Sequence, residues 1–310
     1  MILSASRRTD IPCYYSEWFM NRIRAGYVLT RNPMNHAQLS KIPLSPDIVD
    51  CIVFWTKDAA NMLPNLDELD RLGYKYYFQF TLTPYDRTLE ANLRPKAEIE
   101  DTFIELSKRI GRERVVWRYD PIILNDTLDT QYHKAQFVRM FEKLSPYTDT
   151  VTISFVDMYP KLKTHLIRPI TEDEIAKLSA FIAKTTKEHG IRAVACCEKD
   201  DLTKYGIERS SCIDRERIEN IIGCPLDVKP DKNQRGGCGC FKSIDIGVYN
   251  TCLNGCVYCY ANDSSVTTSR RHASHNPENE ILIGNVLDSE NIAERKVKSD
   301  KQGQTNLNYA

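Results

Sequence analysis

The sequence predicts an α/β fold in which a parallel sheet, wrapped by helices, forms a (β/α)8 TIM-like or partial barrel. Short runs rich in Val, Ile, Tyr and Phe alternate with segments whose apolar residues recur every three or four positions. That alternation is expected of parallel strands joined by crossover helices. Gly and Pro mark most of the changes of period, and a chain of 310 residues accommodates one barrel of this kind. An open doubly wound sheet is the competing arrangement.

Residues 2–6 read as the first strand. Ser16 then opens a helix with Trp18, Phe19 and Ile23 on its apolar side, closed by Gly26. A weaker strand follows at 27–30, and then a Pro-containing crossover. The apolar run 51–55 is the third strand, and Leu66, Leu69 and Leu72 mark a helix stopped by Gly73. Residues 74–82 form an aromatic-rich strand, and Ile99, Phe103, Leu106 and Ile110 keep helical spacing as far as Gly111. Strand 115–119 precedes a helix lined by Phe137, Met140, Phe141 and Leu144. Strand 151–156 precedes a helix announced by the capping-box pair Thr171 and Glu174 and ended at Gly190. Strand seven spans 193–197, a short helix runs over 214–222 to Gly223, and strand eight spans 243–249. The barrel domain is thus expected over 1–285, with 286–310 as a polar helix or tail outside it.

Composition narrows the function classes. The 42 basic residues balance 42 acidic ones, which argues against broad electrostatic capture of nucleic acid. No apolar run is long enough to cross a bilayer, and the opening residues do not read as a signal peptide; the expectation is a cytoplasmic protein with no membrane partner. In that compartment thiols stay reduced, so eleven cysteines, seven of them from Cys212 to Cys259, point to metal or iron–sulfur chemistry rather than to disulfides.

The sharpest motif is Cys252-x3-Cys256-x2-Cys259, with Tyr258 just before the third thiol. Chance would produce that bare spacing about 0.01 times in a chain of this cysteine content. Three thiolates on one tight loop can each hold one iron of a cubane and leave the fourth iron without a protein ligand, the open position expected of a catalytic centre. Cys238 and Cys240, with Cys212 and with Cys197 or Cys224 as further candidates, could build a second metal or cluster site. Cys13, Cys51 and Cys196 are expected to be packing residues. An alternative reading is a non-enzymatic module in which zinc held by Cys238, Cys240, Cys256 and Cys259 organises a nucleic-acid or protein surface.

The loop with Tyr258 resembles the cluster-binding loop of the radical S-adenosylmethionine (SAM) superfamily. The resemblance implies a 4Fe-4S cluster whose open iron binds SAM, production of a 5′-deoxyadenosyl radical, Tyr258 near the adenine, and an electron donor such as flavodoxin or ferredoxin. In that superfamily the loop follows the first strand, whereas here it follows the last; a cyclic barrel can bring the two places together. A Gly-Gly-Glu segment for the methionine amino group is not found. The run Tyr258-Cys259-Tyr260 is also similar to the loop of spore photoproduct lyase, which would make a nucleic-acid lesion the substrate. Over about 1–285 the chain resembles the uncharacterised domain-of-unknown-function family 1848 through residues 2–10, Phe54-Trp55-Thr56-Lys57, and Gln234-Arg235 to Gly247.

In a barrel the C-terminal strand ends share one mouth. These ends carry Ser6, Arg7, Arg8, Trp55, Lys57, Gln79, Thr81, Thr83, Arg118, Asp120, Ser154, Asp157 and Glu198. Arg7, Arg8, Arg118 and Lys57 are candidates to grip SAM or an anionic substrate. Asp120, Asp157 and Glu198 are candidates for acid–base work or ribose binding. The histidines make no metal-ligand spacing with the cysteines; His272 and His275, downstream of the loop, are the one pair of interest.

Overall fold

The computed structural model describes residues 1–32, 35, 37–159, 162 and 164–303. Its strands, in chain order, are β1 (Ile2–Ala5), β2 (Tyr27–Arg31), β3 (Gln38–Pro43), β4 (Cys51–Thr56), β5 (Tyr76–Thr81), β6 (Val115–Ile122), β7 (Thr150–Phe155), β8 (Arg192–Ala195), β9 (Glu208–Arg209), β10 (Ile244–Asp245) and β11 (Asn291–Glu294). The helices are α1 (Ile11–Tyr14), α2 (Ser16–Ala25), α3 (Leu66–Arg71), α4 (Lys96–Ile110), α5 (Thr130–Leu144), α6 (Glu172–Glu188), α7 (Arg215–Ile222) and α8 (Ser265–Ala273). The fold is α/β, built on an eight-stranded parallel sheet in the order β10, β1, β4, β5, β6, β7, β8, β9. From β1 to β9 the order advances one way with the chain, and β10 returns to the outer side of β1.

Alternation along the strands divides the side chains between two faces. Leu3, Ile52, Phe54, Tyr76, Phe78, Trp117 and Ile153 share one cluster with Phe19 of α2, Phe103 of α4, Phe137 of α5 and Leu178 of α6. The Trp117 and Phe137 rings stack at 5.4 Å, which binds α5 to the middle of the sheet. The alternate residues Ile2, Cys51, Val53, Tyr77 and Val116 form a second cluster with Cys196, Cys212, Ile213, Ile218 and Cys240. The large helices therefore cover one face, and the chain between β8 and β10 covers the other. No described helix is long and apolar enough to cross a membrane.

Three elements differ from the sequence reading. Residues 27–30 lie outside the main sheet: β2 pairs antiparallel with β3 in a small second sheet. The link between these two strands is too short for a parallel crossover, which needs a dozen or more residues. The eighth strand of the main sheet is instead the two-residue β9. Strand eight is also shorter than expected. Beyond Asp245 the chain leaves β1, because the Asp245 carboxylate takes the Gly247 N–H at 3.0 Å. A Cβ on Gly247 would collide with the Ser6 side chain, so the close approach of β10 to the end of β1 requires glycine there. Within the segment read as a polar tail, β11 pairs parallel with β3; residues 304–310 lie outside those described.

Candidate metal centre and active site

The cysteine loop is docked on the end of β1, where the return of β10 delivers it. Asp245 fixes the approach, accepting hydrogen bonds from Ser4 Oγ at 3.0 Å, Ser6 Oγ at 2.6 Å and the Arg7 N–H at 2.9 Å. Asp10 then clamps the loop. Its carboxylate accepts from the Cys13 N–H, the Lys57 N–H and Asn254 Nδ2. Burial raises the Asp10 carboxyl to about 6 against the pull of these donors. Tyr14 donates to Asn254 Oδ1 at 2.8 Å and Tyr15 to the Thr251 carbonyl at 2.6 Å. Gly255 turns the loop at φ +69°, a left-handed conformation in which a side chain would also crowd Asn92.

From the other side the loop rests on Glu90, which forms a short antiparallel bridge with Cys256. Glu90 is fully buried. Its carboxylate receives Lys57 Nζ at 2.7 Å, Thr83 Oγ1 at 3.0 Å, and both Lys96 and the Tyr258 hydroxyl. Burial works to raise the Glu90 carboxyl, but Lys57 and Lys96 hold it down at about 2. The Tyr258 ring stands edge-on to Tyr85, with its hydroxyl 2.9 Å from Lys57 Nζ. Tyr258 thus ties the loop to its base.

Cys252, Cys256 and Cys259 line one open cleft of about 230 Å3, walled by Asn92, Ser264 and Thr268 among others. Burial lifts the Cys252 thiol well above its ordinary value and Cys256 to about 12; Lys57 opposes the rise at Cys256. A metal binding there would have to displace these protons, which Lys57 favours beside Cys256. Cys259 Sγ accepts the Ala261 N–H at 3.3 Å, as ligating thiolates do. The donor set therefore fits a thiophilic centre with three protein ligands.

A separate thiol group lies on the face of the sheet opposite the large helices. Cys196, Cys238 and Cys240 have sulfur atoms within 4.8 Å of one another, and Cys196 and Cys240 are 3.9 Å apart. Cys212 is buried in the same cluster, where its Sγ accepts from Arg118 at 3.0 Å. The structure thus brings the expected Cys238 and Cys240 together with Cys196, which the sequence reading assigned to packing, while Cys212 lies outside the 4.8 Å group. Among the described residues, Cys256 and Cys259 do not belong to this group, so the four-thiol zinc set expected from them is not assembled. Hydrogen bonds from Cys196 and Cys240 lower the Cys238 thiol, and those from Cys196 and Cys212 lower Cys240. Cys51 is buried in the same apolar cluster, as packing predicts, while Cys13 sits at α1 beneath the loop.

The strand-end residues do gather around these thiols. Arg118 donates to Cys212 Sγ at 3.0 Å, to Gln79 Oε1 at 3.1 Å and to Asp120, which also receives Ser154 Oγ. Arg7 and Arg118 both lie over the Trp55 ring, at 5.7 and 5.5 Å. Arg8 is turned toward Tyr249, 5.3 Å from its ring, and donates to the Gly247 carbonyl. Asp157 is paired with Arg235 at 2.5 Å and Lys199 at 3.1 Å. Glu198 accepts the Phe155 N–H, and burial together with nearby Asp120 and Asp157 raises its carboxyl to about 8. His272 and His275 serve the scaffold: His272 Nδ1 is 3.0 Å from the Tyr15 hydroxyl, and His275 Nδ1 is 2.7 Å from the Leu282 carbonyl.

Three contributors were not among the candidates read from the sequence. Asp10 and Glu90 sit far along the chain from the loop thiols they position, and Asp245, seven residues before Cys252, is linked to them by no spacing rule. Trp55 was noted as a strand-end residue, but its buried Nε1 proves to have no hydrogen-bond partner among the described residues. A family model described as domain of unknown function (DUF1848) matches residues 2–261. No curated protein and no solved structure matches the chain.

Proposed function

Since this chain belongs to the DUF1848 family, whose description assigns no activity, we propose a function from its own site: an iron–sulfur enzyme of the radical SAM type. Cys252, Cys256 and Cys259 would hold a 4Fe-4S cluster. The observation that carries this reading is that all three cysteines of the loop line one cleft. Bound there and reduced by a flavodoxin or ferredoxin, such a cluster would supply the electron that splits the SAM sulfonium into methionine and a 5′-deoxyadenosyl radical.

The remaining roles belong to the chain itself. Lys57 offsets thiolate charge beside Cys256 while Glu90 and Tyr258 hold it in place. Asp10 and Asn254 keep the loop seated on α1. Trp55 carries the Arg7 and Arg118 guanidiniums over its ring, and its buried N–H, unpartnered among the described residues, is a donor for the carboxylate or carbonyl end of a bound molecule. Balanced net charge, together with arginines already engaged in the protein, favours a small substrate over a nucleic-acid lesion. We also read the sheet as a barrel. Its one-way strand order and the placement of its large helices on one face suit a curved sheet better than a doubly wound one, where helices cover both faces.

The test is anaerobic reconstitution with iron and sulfide, reduction by dithionite, and assay for 5′-deoxyadenosine. Formation of 5′-deoxyadenosine that is lost in the Cys252→Ala, Cys256→Ala, Cys259→Ala variant supports the reading. A fully loaded, reduced protein that leaves SAM intact refutes it.

A further inference from the structure

We propose that Cys196, Cys212, Cys238 and Cys240 form a second, separate metal site that takes a single zinc ion and closes the sheet where its hydrogen bonds stop. Sulfur spacing selects the metal class. Tetrahedral Zn–S bonds of about 2.3 Å place ligand sulfurs about 3.8 Å apart. Thiolates on different irons of a cubane lie roughly 6 Å apart. Cys196 and Cys240 are 3.9 Å apart, with Cys238 inside the same 4.8 Å group, so these thiols already stand at single-ion distances. Cys212 is buried in the same cluster with its Sγ held by Arg118 at 3.0 Å, and is the thiol next to the three that would complete the set.

The surroundings suit the charge. Four thiolates on a dication leave two negative charges. Arg118 donates to Cys212 Sγ at 3.0 Å, and Arg7 lies in the field of Cys240 and Cys212. The Ile213 N–H adds a hydrogen bond to Cys240 Sγ at 3.5 Å. Such outer contacts orient ligands and spread their charge.

Position gives the site its role. Cys196 directly follows β8, Cys212 lies between β9 and α7, and Cys238 and Cys240 precede β10. The described strand pairs end at β9 on one side of the sheet and at β10 on the other. A hydrogen bond of 3.2 Å from the Phe241 N–H to the Ile213 carbonyl is the local backbone link between these segments. One ion on the four thiols would bind both edges of the sheet together, and its binding energy would become folding energy.

The experiment is metal analysis of protein purified anaerobically, with X-ray absorption at the zinc edge. One zinc per chain with four sulfur neighbours at about 2.3 Å is expected. The Cys252→Ala, Cys256→Ala, Cys259→Ala variant should keep that zinc while losing iron. The Cys238→Ser, Cys240→Ser variant should lose zinc at least tenfold and keep its iron. Cys224→Ser controls for removal of a thiol outside the set and should retain zinc. Should the doubly substituted chain fail to fold, the absorption spectrum of the unsubstituted protein still decides. Absence of zinc, nitrogen or oxygen neighbours in place of sulfur, or loss of iron with Cys238 and Cys240, each overturns the proposal. Because zinc and iron are read separately, this proposal and the radical SAM reading can fail independently.

Discussion

Replacing Glu90 by Gln tests whether the cysteine loop is held by a buried charge cluster. The carboxylate is fully buried, while the Lys57 and Lys96 side chains are 13% and 22% exposed. Glu90→Gln keeps the shape and an acceptor for Thr83 and Tyr258, but leaves two ammonium groups facing a neutral amide. Removing one partner of a buried ion pair costs about 3–5 kcal/mol. Lys96 opens α4 and can turn toward water, so the penalty falls mainly on Lys57 and the lower end, about 3 kcal/mol, is expected. In a chain of this size that corresponds to a fall in Tm of roughly 5 °C. Calorimetry measures the shift, and iron content after reconstitution shows whether the loop beside Cys256 loosens with it. Adding Lys57→Met should recover at least about 1 kcal/mol, because removing both partners relieves the stranded charge. A Glu90→Gln protein within about 1 kcal/mol of the parent and with full iron loading would refute the account.

Three further outcomes follow from single contacts. His133 is buried between the Tyr119 hydroxyl and the Ile123 carbonyl, and burial lowers it to about 4. The unfolded chain takes up this proton first, near pH 6.5, so the stability is present above that value and lost toward pH 4. Between pH 7 and 5 the loss from this residue should be about 2 kcal/mol, and denaturant titrations of a His133→Gln variant should lack that component. Thr171→Ala removes the α6 capping box, in which Thr171 Oγ1 receives the Glu174 N–H at 3.3 Å, and should lower stability by about 1 kcal/mol in the same titration. Asp245→Ala leaves Ser4, Ser6 and the Arg7 and Gly247 amides without their acceptor. A loss of about 3 kcal/mol and faster amide exchange at Gly247 are expected.

What was legible in the sequence was what local physics decides. Helical spacing and Gly stops located α2, α4 and α7, and the Thr171–Glu174 pair located the start of α6, because these depend on neighbours within one turn. The loop thiols were legible because their spacing is itself the signal. Residues 27–30 were misplaced because strand propensity does not name a partner strand; the short link to β3 does. The two-residue β9 carries too little pattern to be seen. Cys196 was missed for a related reason. It stands forty-two residues from Cys238, and only the stacking of β8 against the segment before β10 brings the thiols together.

The position of the cysteine loop after the last strand follows from the same topology. Chain order matters little to a site built from strand ends, since what counts is which ends are neighbours. Here β10 lies beside β1, so a loop leaving β10 arrives where a loop leaving β1 would arrive. The Asp10, Tyr14 and Tyr15 contacts show that docking in detail. The two thiol sets then meet at Arg7. Its carbonyl accepts the Tyr260 hydroxyl beside Cys259, while its guanidinium lies over Trp55 and in the field of Cys240 and Cys212. The first residues after β1 thus link the cysteine loop to the thiols on the face opposite the large helices.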